Sequence, residues 1–224
     1  MRDILILSSS HLDIGTPQQR LYGRVRYQEP DLGGHVNIIN LSIGGQTAER
    51  THRTLILNEP DLRTHVPRYD YVLQNSWATV LLCLGGNDFR EVSNLSPQDQ
   101  GKRVASLISD LYKAFLNSLD TNGRCLVLLP PPRAVVGFDK FLKSIHSSLQ
   151  PVVRRTWLHG PCSSLVRSKC DWRPKQGILR SIWTAKGPKL DVHLSTIGYK
   201  KLQDWILAIL CGGKPMTLYY SHRR

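Results

Sequence analysis

Four short segments carry residues able to do chemistry, and each stands next to an apolar run or a helical pattern. Ser8-Ser9-Ser10-His11 follows Ile4-Leu5-Ile6-Leu7, and Ser42-Ile43-Gly44-Gly45-Gln46-Thr47 follows Ile38-Ile39-Asn40-Leu41. Gly85-Gly86-Asn87-Asp88-Phe89 follows Val80-Leu81-Leu82-Cys83-Leu84, and Asp191-Val192-His193-Leu194 precedes a helical pattern that begins at Ser195. The chemistry these types can perform together is acyl transfer from an ester. A serine hydroxyl is a weak nucleophile until an imidazole takes its proton. The tetrahedral oxyanion that follows needs donors already aimed at it. Ser10 supplies the hydroxyl and His193 the base. The Ser10 N–H, the Gly45 N–H and the Asn87 carboxamide are the candidate oxyanion donors. No cofactor and no metal is required for such a reaction.

The elements that must position these residues are legible from periodicity. Ile4 to Leu7, Val36 to Leu41, Ala78 to Leu84 and Cys125 to Leu129 are largely apolar runs of strand length, as buried parallel strands require. Pro97 to Leu119 has helical spacing through Val104, Leu107, Ile108, Leu111, Phe115 and Leu119, with Ser96 as N-cap and Pro97 in the first turn. Phe138 to Leu149 and Ser195 to Leu210 are two further helical patterns. Strands of this kind alternating with amphipathic helices predict a mostly parallel sheet covered on both faces, a three-layer α/β/α fold. In such folds ligands bind beyond the carboxyl ends of the strands. The residues that follow the runs are therefore expected to converge.

The four segments together resemble the blocks of the SGNH (GDSL-like) hydrolase superfamily. That superfamily carries Gly-Asp-Ser after its first strand, a glycine in its second block, Gly-x-Asn-Asp in its third and Asp-x-x-His before its last helix. Gly85-Gly86-Asn87-Asp88 matches the third block completely. Gly45 matches the second, and His193 with Gly198-Tyr199 the end of the fourth. The resemblance implies the flavodoxin-like SGNH fold and a serine esterase whose oxyanion hole is Ser10, Gly45 and Asn87. Two departures stand out. Ser8-Ser9 replaces Gly-Asp before Ser10, so Ser9 competes with Ser10 for the role of nucleophile. The place three before His193 is Leu190, while Asp191 lies two before it, so His193 acts either with a shifted Asp191 or as one half of a dyad.

Composition bounds the remainder. The chain has 224 residues with 41% apolar and 21% charged residues, enough for one folded domain. We expect that domain over residues 1–211, with an irregular basic insertion at about 151–190 and a basic tail over 212–224. No apolar run reaches the roughly 18 residues of a membrane-spanning helix, and the N-terminal run is too short for a secretory signal. A cytoplasmic protein is the expectation. Among the five cysteines, Cys83, Cys125 and Cys211 lie in apolar runs as core residues, and Cys162 with Cys170 fits no zinc spacing. Asp88 is expected to bond the loop backbone beside Asn87. Leu129-Pro130-Pro131-Pro132-Arg133 either walls a substrate pocket or simply ends the fourth run.

The formal net charge is +13. Nine Lys and Arg fall between Pro151 and Leu190 (Arg154, Arg155, Arg167, Lys169, Arg173, Lys175, Arg180, Lys186, Lys189) against a single acid, Asp171. A small-molecule, lipid or carbohydrate ester is the substrate class of the first reading. The second reading is a nucleic-acid-associated module of a mobile-element or viral protein. In it the segment from Arg154 to Lys189 contacts phosphates, and the catalytic residues are either active or degenerate.

Overall fold

The structure is a computed structural model, and it describes residues 2–9, 23–26, 35–59, 70–130, 135–153, 179–184 and 187–194. Five strands form one sheet: β1 (Arg2–Ser8), β2 (Gly23–Arg26), β3 (His35–Asn40), β4 (Trp77–Cys83) and β5 (Leu119–Val127). Their order across the sheet is β2-β3-β1-β4-β5. β1 pairs in parallel with β3 and with β4, and β4 pairs in parallel with β5, while the edge strand β2 runs antiparallel to β3. Helices α1 (Ala48–Leu55), α2 (Asp70–Gln74), α3 (Pro97–Leu116) and α4 (Phe138–Leu149) follow in chain order, and β6 (Leu179–Thr184) with β7 (Gly187–Leu194) forms a separate antiparallel hairpin.

Both faces of the central strands are covered. Successive strand residues point to opposite faces, yet Ile4, Leu5, Ile6 and Leu7 are all buried, as are Val80 through Cys83. A strand buried at every position needs a layer on each side. This mostly parallel sheet with its flanking helices is the three-layer α/β/α arrangement that the apolar runs predict. The helices α3 and α4 pack closely on each other, and α1 packs on α3. Ser96 caps α3 as expected, its hydroxyl accepting from the Asp99 N–H at 3.1 Å, with Pro97 in the first turn.

The differences from expectation are instructive. The helix α3 stops at Leu116, and Leu119 opens β5 instead of closing the helix. The strand β5 then carries a bulge, since Trp77 pairs with Leu119 while Thr79 pairs with Arg124. The segment ending at Leu194 adds a strand where only irregular short elements and a pre-helical loop are expected. Ser10, His11, Pro131 to Ala134, most of the basic stretch, the helical pattern from Ser195 to Leu210 and the tail lie outside the described residues.

Chain direction changes across β1, since the chain leaves it for β2 and β3 on one side and then crosses to β4 on the other. In folds of this kind that point of reversal, at the carboxyl ends of β1 and β4, is where ligands bind. The turn after β4 that borders it depends on Gly85, whose φ is +104°. A Cβ there would also lie 3.1 Å from Val104 Cγ1 of α3 and 3.5 Å from Ile145 Cδ1 of α4. Gly85→Ala is expected to cost about 1–3 kcal/mol through backbone strain alone, read as a lower urea midpoint. An unchanged midpoint would show that the turn relaxes freely.

Candidate active site

Among the described residues, the second and third blocks meet beyond β3 and β4, and the second runs beside the end of β1. The ladder between β1 and β3 runs past the strands themselves, with Leu41 N–H donating to Ile6 O at 2.9 Å and Ile43 N–H to Ser8 O at 3.1 Å. The second block therefore leaves the sheet alongside Ser8 and Ser9. It then turns sharply. Gln46 N–H donates to Ile43 O at 3.1 Å, closing a turn whose third residue, Gly45, has φ +75°. Such a turn demands glycine at that place. Its closing bond uses the Gln46 N–H, so the turn does not consume the N–H of Gly45, which is an exposed residue.

The third block leaves β4 through the Gly85 turn, in which Asp88 N–H donates to Gly85 O at 3.1 Å. This delivers Asn87 to the second block. Its Nδ2 donates to the Gln46 carbonyl at 3.1 Å across 41 residues of sequence. A carboxamide offers two N–H donors, and fixing one on Gln46 sets the plane of the other. Gln46 is itself held, since its buried side chain donates through Nε2 to Thr51 Oγ1 at 3.0 Å and Thr51 Oγ1 donates to Thr47 O at 2.9 Å.

Asp88 corrects one expectation. Its carboxylate bonds the start of α1 instead of the loop beside Asn87, accepting from Ala48 N–H at 2.8 Å and Glu49 N–H at 3.1 Å. Burial pushes this carboxyl up to about 6, against the opposing pull of the two backbone donors. The folded chain thus holds a proton between about pH 4 and 6 that the unfolded chain releases. The stability this group contributes is full at low pH and is lost as pH rises through about 6. Relative to Asp88→Asn, the urea midpoint of the wild type should therefore rise as pH is lowered from about 7.5 to about 5. A constant difference between the two would contradict the assignment.

Ser8 and Ser9 are buried, and neither hydroxyl has a conventional hydrogen-bond partner among the described residues. The thiol of Cys83, pushed up to about 11 by its burial, lies against the Ser8 hydroxyl. Ser10 lies outside the described residues. Asp191 and His193 fall on β7, and the register there is irregular. Leu179 pairs with Leu194 but Ser181 pairs with Leu190, so residues 191–193 stand opposite Arg180 alone. Bulges of this kind re-aim side chains and collect beside active sites. The positions that sequence reasoning passed over are Gln46, as the acceptor for Asn87, and Thr51, as its support. A polar pair five apart in a helix start carries no signal by itself.

Two flanking contacts steady the third block. Phe89 packs edge-on against Phe138 with ring centroids 5.4 Å apart and tilted against Phe141 at 5.2 Å. The buried Gln100 side chain accepts from Arg90 N–H at 2.9 Å and donates to Arg90 O and Leu95 O, both at 3.1 Å. The loop after Asn87 is thus fastened to α3 and α4 on both sides.

At the chain reversal of a mostly parallel sheet, in a three-layer α/β/α fold, a positive-φ glycine turn and a fixed carboxamide are brought together. Residues 15–165 match the GDSL-like lipase/acylhydrolase family, and the chain belongs to that family. It is accordingly a hydrolase acting on esters. The matched stretch contains Gly45, Asn87 and Asp88 but neither Ser10 nor His193.

Solved structures of similar fold include a lipase/acylhydrolase from Enterococcus faecalis, at 18% identity and TM-score 0.51, covering 95% of this chain and 96% of that one. A catalytic mutant of Axe2, an acetylxylan esterase from Geobacillus stearothermophilus, aligns at 13% identity and TM-score 0.55, covering 95% and 94%. An α/β hydrolase from the metagenome of Lake Arreo, Spain, aligns at 12% identity and TM-score 0.55, covering 94% and 95%. At these identities the likeness shows the fold. No curated protein matches the sequence. Among the described residues no helix is long and apolar enough to cross a membrane.

Proposed function

We propose that the chain is a serine esterase in which Ser10 is the nucleophile, His193 the general base, and Gly45, Asn87 and the Ser10 amide the oxyanion hole. The observation that carries this reading is the Asn87–Gln46 hydrogen bond, which holds a carboxamide beside the Gly45 turn. Burial of the Ser8 and Ser9 hydroxyls supports Ser10, because an enclosed hydroxyl does not meet a substrate.

In the reaction, His193 takes the Ser10 hydroxyl proton as Oγ bonds to the ester carbonyl carbon. The carbonyl oxygen takes the negative charge and is held by the three donors. Collapse of the tetrahedral species breaks the bond to the alcohol, which leaves with the proton from His193. Water repeats the sequence on the acyl-enzyme, regenerating Ser10 and releasing the acid. Asp191 is assigned to His193 Nδ1, and the bulge opposite Arg180 supports this by freeing residues 191–193 from the regular spacing of a strand. Hydrolysis of p-nitrophenyl acetate by the wild type and by Ser10→Ala tests the proposal, and equal rates in the two would overturn it.

A further inference from the structure

An oxyanion hole built from two loops works only while those loops keep their separation, and here the loops come from different strands. Gly45 belongs to the connection from β3 to α1, and Asn87 to the turn after β4. Three hydrogen bonds join them, and all originate in one dipeptide. Asn87 Nδ2 donates to Gln46 O at 3.1 Å, while Asp88 accepts from Ala48 N–H at 2.8 Å and from Glu49 N–H at 3.1 Å. The bonded residues 46, 48 and 49 begin one position after Gly45. The Asp88 carboxylate also occupies the N-terminal end of α1, where the helix dipole favours a negative charge.

We infer that Asp88 is a positioning residue for ester hydrolysis, its ionised carboxylate clamping the start of α1 to the third block and so setting the spacing between the Gly45 and Asn87 donors. The inference rests on the oxyanion-hole reading above and adds a residue to it that touches neither substrate nor reacting atoms. Only the ionised form can accept two strong backbone bonds at once. A protonated carboxyl keeps weaker acceptor capacity and carries no charge for the helix end. The cost of holding that charge half-buried is visible in its raised pKa. The charged groups around it are Glu49 on α1, which opposes ionisation, and Arg90 on its own loop, which favours it. From α3, Arg103 pairs with Glu49 at 2.8 Å and offsets part of that opposition.

The experiment is a double-mutant cycle on p-nitrophenyl acetate hydrolysis with Asp88→Asn, Asn87→Ala and both together. Ser96→Ala serves as a control that removes the cap of α3. Asp88→Asn should lower kcat roughly tenfold with KM nearly unchanged, as expected for a displaced donor. Once Asn87 is alanine, Asp88→Asn should cost less than about twofold, because residues acting as a unit do not add. Ser96→Ala should lower the urea midpoint and leave kcat in place. Independent, multiplying effects of Asp88→Asn and Asn87→Ala would overturn the inference, as would a loss of kcat in Ser96→Ala equal to that in Asp88→Asn.

A second measurement needs neither a variant nor activity. In the wild type, the amide resonances of Ala48 and Glu49 and the Asn87 carboxamide resonances should move together with pH, following a single titration near 6. Flat Asn87 resonances would overturn the coupling even if the chain proved to be an esterase. Conversely, a common titration in a chain lacking esterase activity would leave the clamp intact and reject the catalytic reading.

Discussion

Ser10→Ala should lower kcat for p-nitrophenyl acetate by roughly 10,000-fold or more, to the level left by binding and the oxyanion donors. On the proposed mechanism the substitution removes the atom that becomes bonded to the acyl group, and the neighbouring hydroxyls of Ser8 and Ser9 are buried. Ser8 and Ser9 are 1% exposed, and their backbone is tied into the end of β1, with Ser8 O accepting from Ile43 N–H. Rescue by either would require the strand end to unpair. KM should change little, because a methyl in place of a hydroxymethyl group leaves the pocket walls intact. Activity persisting in Ser10→Ala and disappearing in Ser9→Ala would transfer the nucleophile to Ser9.

Asn87→Ala should lower kcat about 100- to 1,000-fold, the loss typical of one oxyanion donor and worth about 2.7–4 kcal/mol in the barrier. KM should rise much less, because the donor meets full charge only in the transition state. The substitution also deletes the bond to Gln46 O, which costs about 0.5–1.5 kcal/mol of stability. Asn87→Asp separates these effects. It keeps the shape of the side chain and removes both donors, placing a carboxylate where the oxyanion would form. Its kcat should fall at least as far as that of the alanine variant. If Asn87→Ala loses stability but keeps kcat within about twofold, the carboxamide serves only to join the two blocks.

Periodicity located the central strands well because each is buried on both faces, so nearly every residue in it must be apolar. The helix α4 appears over the expected Phe138–Leu149, and its buried Phe138, Phe141, Leu142, Ile145 and Leu149 are the spacing that announced it. The helix α1 escaped notice for the opposite reason. Ala48 to Leu55 is mostly polar, and only Ala48, Thr51 and Leu55 are buried. Its first turn is secured by Thr47 beside it and by Asp88 some 40 residues away. Local pattern holds no record of a cap that arrives from another strand. The strand β7 escaped notice although Leu190, Val192 and Leu194 alternate with Lys189, Asp191 and His193, because the motif at His193 reads as a loop ahead of a helix.

By itself, the sequence determined the parallel sheet, the order of the four blocks along it and the residue types available for acyl transfer, because burial and chemistry are both written in residue identity. Tertiary structure alone decided how the blocks meet. That Asn87 would bond Gln46 and that Asp88 would reach the start of α1 both depend on β3, β1 and β4 lying side by side. Strand order is set by how the chain packs its two apolar faces, and contacts across some 40 residues follow from that packing and not from spacing along the chain.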